Sequence, residues 1–309
     1  MGELRGRDFL TLQSFTGDEI IEILELAREV KKSRDLYRDS LRGKSIAMIF
    51  EKPSTRTRIS FEIAVSELGG KPIYLSSSEI QLSRGETLAD TARVLSRYLH
   101  LVMARVFRYE SLEELARWAD IPIVNGLSNI NHPLQTLADL MTIWERFGKL
   151  KGLKIAWIGD GNNVCNSTLI GASKLGLDVT VACPKGYEPD KRFLEAAKKN
   201  SEISGSSIAV IDDPMEAVKG ADVVMTDTFI SMGFEKEKSQ RMKIFLPRYQ
   251  VDMKLMSMAK PEAIFMHPLP AYRGEEVAPE VIDGERSAVW DQAENRLHTA
   301  KALLLKLLV

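Results

Sequence analysis

The chain has 309 residues, of which 44% are hydrophobic and 28% charged, and its formal net charge at pH 7 is −1. This composition is typical of a globular chain of two ordinary domains, and the near-neutral charge gives no indication of nucleic acid as a partner. Two cysteines are too few for a disulfide framework, and no stretch has the pattern of a signal peptide or a membrane span, so we expect a cytoplasmic protein without a membrane partner.

Helical and strand patterns alternate through the first half of the chain. Thr16 and Glu19 have the spacing of a capping box ahead of apolar residues at helical intervals, which predicts the first helix. Strands are predicted at residues 46–50, 73–75, 101–107 and 121–124. Helices are predicted from about Ser54 to Gly69-Gly70 and at residues 88–98 and 112–119. This alternation predicts a parallel sheet.

The second half repeats the alternation after a predicted helix at residues 134–147. Strands are predicted at residues 155–158, 179–182, 208–211, 223–226 and 264–266. A last helical pattern covers residues 290–309 and is typical of a packing helix. The sequence therefore predicts an α/β protein with two doubly wound parallel-sheet domains, residues 1–148 and 149–289, joined by helices.

The run from Glu51 to Arg58 has the pattern of an anion-binding helix start, because it follows a buried strand and precedes a helix. Free backbone N–H groups, the helix dipole and the side chains of Ser54, Thr55, Arg56 and Thr57 would all favour a phosphate there. Taken alone, the run is explained equally well by an ordinary capped helix whose arginines pair with surface carboxylates.

Three other polar clusters follow predicted strands, at the edge of a parallel sheet where ligands bind. They are His132-Pro133-Leu134-Gln135, Gly159-Asp160-Gly161-Asn162-Asn163 and Asp227-Thr228-Phe229-Ile230-Ser231-Met232-Gly233. A fourth, His267-Pro268-Leu269-Pro270, ends another strand, and its histidine, taken alone, is explained better by local hydrogen bonds than by a function.

Nucleotide and metal sites fit the sequence poorly. Gly159-Asp160-Gly161 resembles the start of a dinucleotide fingerprint, but Val164 replaces its third glycine, and no acidic residue ends the next strand. Gly43-Lys44-Ser45 lacks the earlier glycine of a P-loop and enters a strand. No His-x-x-x-His or Cys-x-x-Cys pair is present, so we expect neither a metal nor a nucleotide cofactor.

Four motifs in this order resemble the aspartate/ornithine carbamoyltransferase family: Ser-Thr-Arg-Thr-Arg at 54–58, His-Pro-Leu-Gln at 132–135, Ser-Met-Gly at 231–233 and His-Pro-Leu-Pro at 267–270. The resemblance covers the whole chain. It implies transfer of the carbamoyl group of carbamoyl phosphate to the δ-amine of L-ornithine, giving L-citrulline and phosphate, in arginine biosynthesis or the reverse direction. Residues 1–148 would bind carbamoyl phosphate and residues 149–289 ornithine.

The resemblance also implies roles for individual residues. Those implied to hold carbamoyl phosphate are Ser54, Thr55, Arg56, Thr57, Gln81, Arg105, His132, Gln135, Pro268, Leu269 and Arg296. Those implied to hold ornithine are Asn163, Asp227, Ser231 and Met232. Arg56, Arg105, His132 and Asp227 are the implied catalytic residues. The match at Arg296 implies that helix 290–309 returns to the first domain. Gln81 matches a residue that family members lend to a neighbouring subunit, which implies a homotrimer or a multiple of trimers.

One position departs from the family pattern. Ornithine carbamoyltransferases usually have His-Cys-Leu-Pro where this chain has His267-Pro268-Leu269-Pro270, and the cysteine normally touches the reacting amine. N-acylornithine, putrescine and aspartate therefore stay open as acceptors, as does a phosphate-binding or assembly protein without catalysis. Cys165 and Cys183 lie elsewhere in the sequence and are interpreted as packing residues.

Overall fold

A computed structural model describes residues 4–230 and 235–309, which separate into two compact units. The first unit comprises Met1–Met141 and Glu294–Val309, and the second comprises Thr142–Ala293. The strands are β1 (Ser45–Phe50), β2 (Lys71–Ser76), β3 (Leu101–Arg105), β4 (Ile123–Leu127), β5 (Lys154–Ile158), β6 (Asp178–Ala182), β7 (Ile208–Ile211), β8 (Val223–Thr226) and β9 (Ile264–Met266).

Helices connect these strands. They are α1 (Gly17–Lys32), α2 (Thr55–Glu67), α3 (Leu88–Tyr98), α4 (Tyr109–Trp118), α5 (Pro133–Phe147), α6 (Asn163–Lys174), α7 (Lys191–Ser204), α8 (Pro214–Val218), α9 (Lys238–Phe245), α10 (Met253–Ser257), α11 (Pro279–Ile282) and α12 (Val289–Leu308). In the part of the chain that the structure covers, no helix is long and apolar enough to cross a bilayer.

The first unit is built on a parallel sheet with strand order β2-β1-β3-β4. β1 and β3 lie at its centre, and their nearly continuous apolar sequences are buried because helices cover both faces. The strand order reverses between β1 and β3. The loops that leave the carboxyl ends of these two strands therefore diverge and form a crevice, which is where open α/β sheets bind ligands.

The second unit is a parallel sheet with strand order β7-β6-β5-β8-β9. Its order reverses between β5 and β8, so the crevice of this unit lies at the ends of those strands. Its apolar core includes the stacked rings of Phe229 and Phe245, whose centroids are 4.6 Å apart. The fold class predicted from the sequence is confirmed, as is the capping box, in which Thr16 N donates to Glu19 Oε2 at 2.8 Å.

The last helix returns to the first unit, as predicted. From Glu294 onward α12 belongs to that unit, and the fully buried Lys301 pairs there with Glu67 of α2. The backbone of the same helix also accepts a hydrogen bond from the N-terminal segment, from Gly6 N to Leu307 O at 2.9 Å. The last helix therefore contacts both the N-terminal segment, through Gly6, and helix α2, through Glu67.

Several predicted element boundaries were wrong by a few residues, for local reasons. The strand predicted to run to residue 107 ends at Arg105, because Phe107 N donates to the Glu51 carboxylate at 2.6 Å instead of extending the ladder. The strand predicted at residues 121–124 begins at Ile123, whose N–H donates to the Asp8 carboxylate.

The turn that ends α2 needs glycine. Gly69 follows α2 with φ +81°, and a Cβ there would lie 2.6 Å from a backbone oxygen.

Candidate functional site

In the first unit, Ser54 begins the helix that leaves the central strand β1. Its Oγ accepts a hydrogen bond from Thr57 N at 3.2 Å, which makes it the N-cap of α2. Ser54, Thr55, Arg56 and Thr57 therefore lie at a helix N-terminus in the crevice of the sheet, where an anion is favoured. Arg58 differs from them, because it pairs with Glu62 at 3.5 Å and lies over the Tyr74 ring.

A buried network joins three helices behind this start. Arg296 of α12 donates to Thr57 Oγ1 at 3.1 Å and to Gln135 Oε1 of α5. Gln135 Nε2 donates in turn to Asp139 Oδ1 at 2.8 Å. All four side chains are buried. The structure thus brings together residues separated by more than 200 positions in the sequence, which fixes the side of α2 that carries Thr57.

Positive charge is concentrated around this network. Burial and then the repulsion of Arg56 lower the pKa of Arg105 to about 10, and burial and Arg105 lower the pKa of Arg296 to about 10 as well. Asp139 opposes this effect at Arg296. Nε of Arg105 has no hydrogen-bond acceptor among the residues that the structure describes. No acidic side chain that the structure describes contributes to the pKa shift of Arg105, and Asp139 offsets the shift of Arg296 only in part, so positive charge predominates here and would favour an anion.

Sequence reasoning missed Lys52, which belongs to the same positive region. Its side chain is buried, with Nζ 4.7 Å from the centre of the Phe107 ring. Burial and then Arg105 lower its pKa, and its charge helps to lower the pKa of His132. The available signal was its place in the same run as Ser54, on the turn that leaves β1.

His132 is held at the start of α5 by the loop before it. Asn131 Oδ1 accepts hydrogen bonds from Asn125 Nδ2 at 2.6 Å and from Ser128 Oγ at 2.7 Å, and all three side chains are buried. Gln135 N closes the first turn on His132 O at 3.0 Å. Burial, followed by the charges of Arg296, Arg105 and Lys52, holds the pKa of His132 well below its ordinary value, so its ring is neutral at physiological pH.

Gln81 is separate from this cluster in the single chain. It lies exposed in the short 3-10 turn Gln81–Arg84 after β2, and no described hydrogen bond or ion pair joins its side chain to Arg105 or Arg296.

In the second unit, Asp227 follows β8 and faces the N-terminus of α6. Asn162, the N-cap of α6, accepts hydrogen bonds from Val164 N and Cys165 N and donates from Nδ2 to Asp227 Oδ2 at 2.8 Å. Thr228 N donates to the other carboxylate oxygen at 2.8 Å. Burial raises the pKa of Asp227, while His267 and these hydrogen bonds oppose the rise. Sequence reasoning named Asn162 in its motif but missed this positioning role.

Of the other residues predicted to bind ornithine, the structure describes Asn163. Asn163 is the first residue of α6 and is partly buried beside Asn162. Ser231 and Met232 lie outside the described residues. Among the residues that are described, no group of three histidine, cysteine, aspartate or glutamate side chains could hold a metal ion.

The His-Pro-Leu-Pro turn uses its histidine for its own structure. His267 is fully buried, its Nδ1 accepts a hydrogen bond from Leu269 N at 2.9 Å, and its Nε2 lies 3.1 Å from Glu276 Oε1. These contacts hold Leu269 at φ +59°, a conformation that residues other than glycine rarely adopt. The interpretation of His267 as a locally satisfied histidine therefore agrees with the structure, and Pro268 and Leu269 remain partly accessible beside it.

Neither cysteine is placed for nucleophilic chemistry. Cys165 and Cys183 are buried free thiols, and burial raises the pKa of Cys183 to about 12 and raises that of Cys165 as well. Both are therefore protonated at neutral pH and act as small apolar residues in the second unit.

The comparisons with known proteins cover both units. The sequence model described as "Aspartate/ornithine carbamoyltransferase, carbamoyl-P binding domain" matches residues 7–145, and that described as "Aspartate/ornithine carbamoyltransferase, Asp/Orn binding domain" matches residues 151–307. The anabolic ornithine carbamoyltransferase of Pyrococcus furiosus is 54% identical over 303 residues, which are 97% of this chain and 96% of that protein.

Other relatives agree over the full length. The ornithine carbamoyltransferase of Bacillus subtilis is 53% identical over 305 residues, covering 99% of this chain and 95% of that protein. A solved structure of the Pyrococcus furiosus ornithine carbamoyltransferase superposes with a TM-score of 0.96 at 52% identity, covering 100% of this chain and 99% of that one.

Proposed function

The chain belongs to the aspartate/ornithine carbamoyltransferase family, and from this premise we propose that it transfers the carbamoyl group of carbamoyl phosphate to the δ-amine of L-ornithine. The products are L-citrulline and phosphate, and the anabolic name of one relative supports a place in arginine biosynthesis. The observation that carries the proposal is the buried positive cluster of Arg105, Arg296 and Lys52 beside the capped start of α2.

The first unit supplies the groups that carbamoyl phosphate requires. Backbone N–H groups at the start of α2, with the side chains of Ser54, Thr55 and Arg56, would hold the phosphate and stabilise the charge that grows on it as the C–O bond breaks. Thr57, Arg105 and His132 would polarise the carbamoyl carbonyl, and Gln135 would hold its amide. Arg296 ties Thr57 to Gln135, so it would keep the phosphate and carbamoyl contacts in register. We assign carbamoyl phosphate binding to residues 1–148.

His132 would act as a neutral hydrogen-bonding group. Its lowered pKa disfavours a protonated ring, so the positive charge needed at the carbonyl would come from Arg105. Catalysis by this half therefore rests on position and charge rather than on proton transfer by the protein.

The second unit supplies an anchor for an amine, and we assign ornithine binding to residues 149–289. The Asp227 carboxylate, fixed by Asn162 Nδ2 and Thr228 N, would attract the ammonium form of the substrate. Asn163, Ser231 and Met232 are proposed to hold the amino-acid end. Attack requires the neutral amine, whose pKa is about 10.4 by analogy with lysine. The proton would leave with the departing phosphate.

Pro268 makes the acceptor the part of the proposal most in need of a test. It has no thiol to contact the amine, so the backbone carbonyls of His267 and Pro268 would accept that hydrogen bond. Citrulline formation from carbamoyl phosphate and ornithine should be measured beside aspartate, putrescine and N-acylornithine. We expect turnover with ornithine at least tenfold faster than with the others. Faster turnover of another amine would reassign the acceptor, and binding without any turnover would support a protein without catalysis.

Loss of Arg56 tests the donor half of the same proposal. Arg56→Ala should lower kcat by roughly 10²- to 10³-fold, because it removes stabilisation of the leaving phosphate. Arg38→Ala is the matched control, since Arg38 is exposed and pairs with the nearby Asp35 at 2.8 Å. Normal kinetics in Arg56→Ala would contradict the assignment of the phosphate site.

We also propose that the enzyme is a cytoplasmic homotrimer, or a multiple of trimers, in which Gln81 completes the site of a neighbouring subunit. A groove of about 530 Å³ lies beside Ser54 and Thr55, and the exposed apolar side chains of Ile59 and Ile63 line it. Such a surface next to a substrate site fits a second copy of the chain. Light scattering should give a trimer or a multiple.

Mixing two inactive variants tests the shared site directly. Gln81→Ala and Arg105→Met chains, each tagged differently and co-expressed, should regain activity in mixed oligomers, because some sites then combine an intact Gln81 with an intact Arg105. Mixed oligomers that are no more active than either parent would contradict the contribution of Gln81 across subunits.

A further inference from the structure

A third buried arginine, Arg241, lies in the second unit and is not among the residues predicted to bind substrate. It lies on α9, the helix that begins at Lys238, and its side chain is 6% exposed. Nε donates to Phe229 O at 2.6 Å, and Nη2 donates to the Asp160 carboxylate. Its guanidinium also lies 4.8 Å from the centre of the Tyr187 ring. One planar group thus binds two loops of the crevice at once.

These two loops are the ones that carry the acceptor residues. Asp160 comes two positions before Asn162, and Phe229 comes two positions after Asp227. Asn162 and Asp227 are themselves joined by the 2.8 Å hydrogen bond. The pairs Arg241–Asp160 and Arg241–Phe229 therefore close a ring of contacts with Asn162–Asp227, in which the guanidinium connects Asp160 of one loop to Phe229 of the other.

Close packing makes the geometry of this ring sensitive to small displacements. A Cβ at Gly159 would lie 2.9 Å from the Phe229 ring, and one at Gly161 would lie 2.3 Å from Pro189 N. Trp157 Nε1 donates to Asp160 O at 2.9 Å, which fixes the backbone of the same loop. The packing leaves little tolerance for a shift of either loop, and the hydrogen bonds of Arg241 to Asp160 and Phe229 O connect the two loops at this spacing.

The Arg241–Asp160 ion pair is better explained by the orientation it gives to the two loops than by a gain in the stability of the fold. A buried ion pair contributes little net stability over an apolar pair of the same size, because both charges lose their hydration. Burial raises the pKa of Asp160 to about 6, so the carboxylate remains mostly ionised at pH 7 and keeps its pairing with Arg241. The fork nevertheless supplies two directional hydrogen bonds, which an apolar pair would not.

We propose that Arg241, through Asp160 and Phe229 O, is a positioning residue for acceptor-amine binding: it fixes the Asn162 loop against the Asp227 loop. This inference rests on the proposed function in naming the amine as the substrate of that crevice. Removal of the fork changes the placement of Asn162 and Asp227 and leaves the carbamoyl phosphate groups of the first unit unaltered.

Kinetics of matched variants test this role. Arg241→Lys keeps the charge but bridges only one of the two acceptors, and Arg241→Gln loses the charge as well. Both should raise KM for ornithine by roughly 10- to 100-fold, with KM for carbamoyl phosphate within twofold of wild type. Arg248→Gln is the control, because Arg248 follows the same helix, is 56% exposed and lies 3.9 Å from Asp212.

Hydrogen exchange tests the positioning without any substrate. Peptides covering residues 159–163 and 226–230 should exchange at least fivefold faster in Arg241→Lys than in wild type, while peptides of the first unit keep their rates. Unchanged exchange in both peptides would overturn the inference. So would an unchanged KM for ornithine, or equal increases in KM for both substrates. Failure of the wild-type chain to form citrulline would instead count against the proposed function, and the exchange result would still decide the role of Arg241.

Discussion

Arg105 gives the sharpest test of the proposed donor site, because its buried charge should lower the stability of the fold and strengthen the binding of carbamoyl phosphate. Burial and Arg56 lower its pKa to about 10, against an ordinary guanidinium value of about 12.5. At about 1.4 kcal/mol for each tenfold change in a protonation equilibrium, this corresponds to roughly 3 kcal/mol of unfavourable free energy for the charged side chain.

Replacing Arg105 by methionine removes this cost and keeps most of the side-chain volume. In buffer without phosphate, Arg105→Met should raise the free energy of unfolding by about 2 to 3 kcal/mol. Saturation of wild type with carbamoyl phosphate at a hundred times its Kd should add about 2.7 kcal/mol, and the variant should lose this gain. Activity should fall by at least a hundredfold, since Arg105 is proposed to polarise the carbonyl.

Equilibrium urea unfolding, followed by circular dichroism at one protein concentration with and without carbamoyl phosphate, measures both effects. Arg38→Met is the matched control, because its exposed side chain should change stability by less than about 0.5 kcal/mol and leave the ligand response intact. A variant at Arg105 that is less stable than wild type, or that still gains stability from carbamoyl phosphate, would refute the reasoning.

Three further outcomes follow from the structure. Asp227→Asn should lower kcat/KM for ornithine by at least a hundredfold without changing carbamoyl phosphate binding in calorimetry; a parallel loss of donor binding would show a wider structural effect. The lowered pKa of His132 means that its contribution to stability is present above about pH 6.5 and lost as the pH falls below it, so His132→Asn should flatten the dependence of unfolding free energy on pH below about pH 6.5. Glu67→Gln leaves Lys301 buried beside a neutral partner and should cost about 1 to 3 kcal/mol in thermal unfolding, whereas adding Lys301→Met should restore most of it; an additive double variant would contradict the pairing.

The parts of the fold that depend on neighbouring residues could be predicted from the sequence. Thr16 and Glu19 lie three positions apart, so the capping box is written in one short segment, and the structure contains it. The cap at Ser54 is equally local. The sequence pattern predicts the strands, but it does not show which strands are neighbours in a sheet. The positions of the two crevices therefore required the strand orders that the structure provides.

The network behind the donor site could not be derived from local patterns. Arg296 reaches Thr57 across 239 positions and Gln135 across 161, and only the resemblance to a family connected these residues beforehand. Lys52 and Arg241 were missed for a related reason. A lysine in a loop and an arginine on a polar helix are usually solvated, and their burial here depends on aromatic rings from other segments, Phe107 and Tyr187.

A capped helix start lies in both crevices, but its surroundings favour an anion in the first unit and a cation in the second. In each unit a polar residue caps the helix that leaves the central strand: Ser54 begins α2, and Asn162 begins α6. Ser54 satisfies one N–H group, and arginines add positive charge, so that helix start favours an anion. Asn162 Oδ1 accepts hydrogen bonds from two backbone N–H groups at the start of α6, and Asn162 Nδ2 donates to Asp227. Those two N–H groups are therefore already bonded, and the negative charge of Asp227 can attract a cation. The choice of cap therefore contributes to the assignment of phosphate to the first unit and amine to the second.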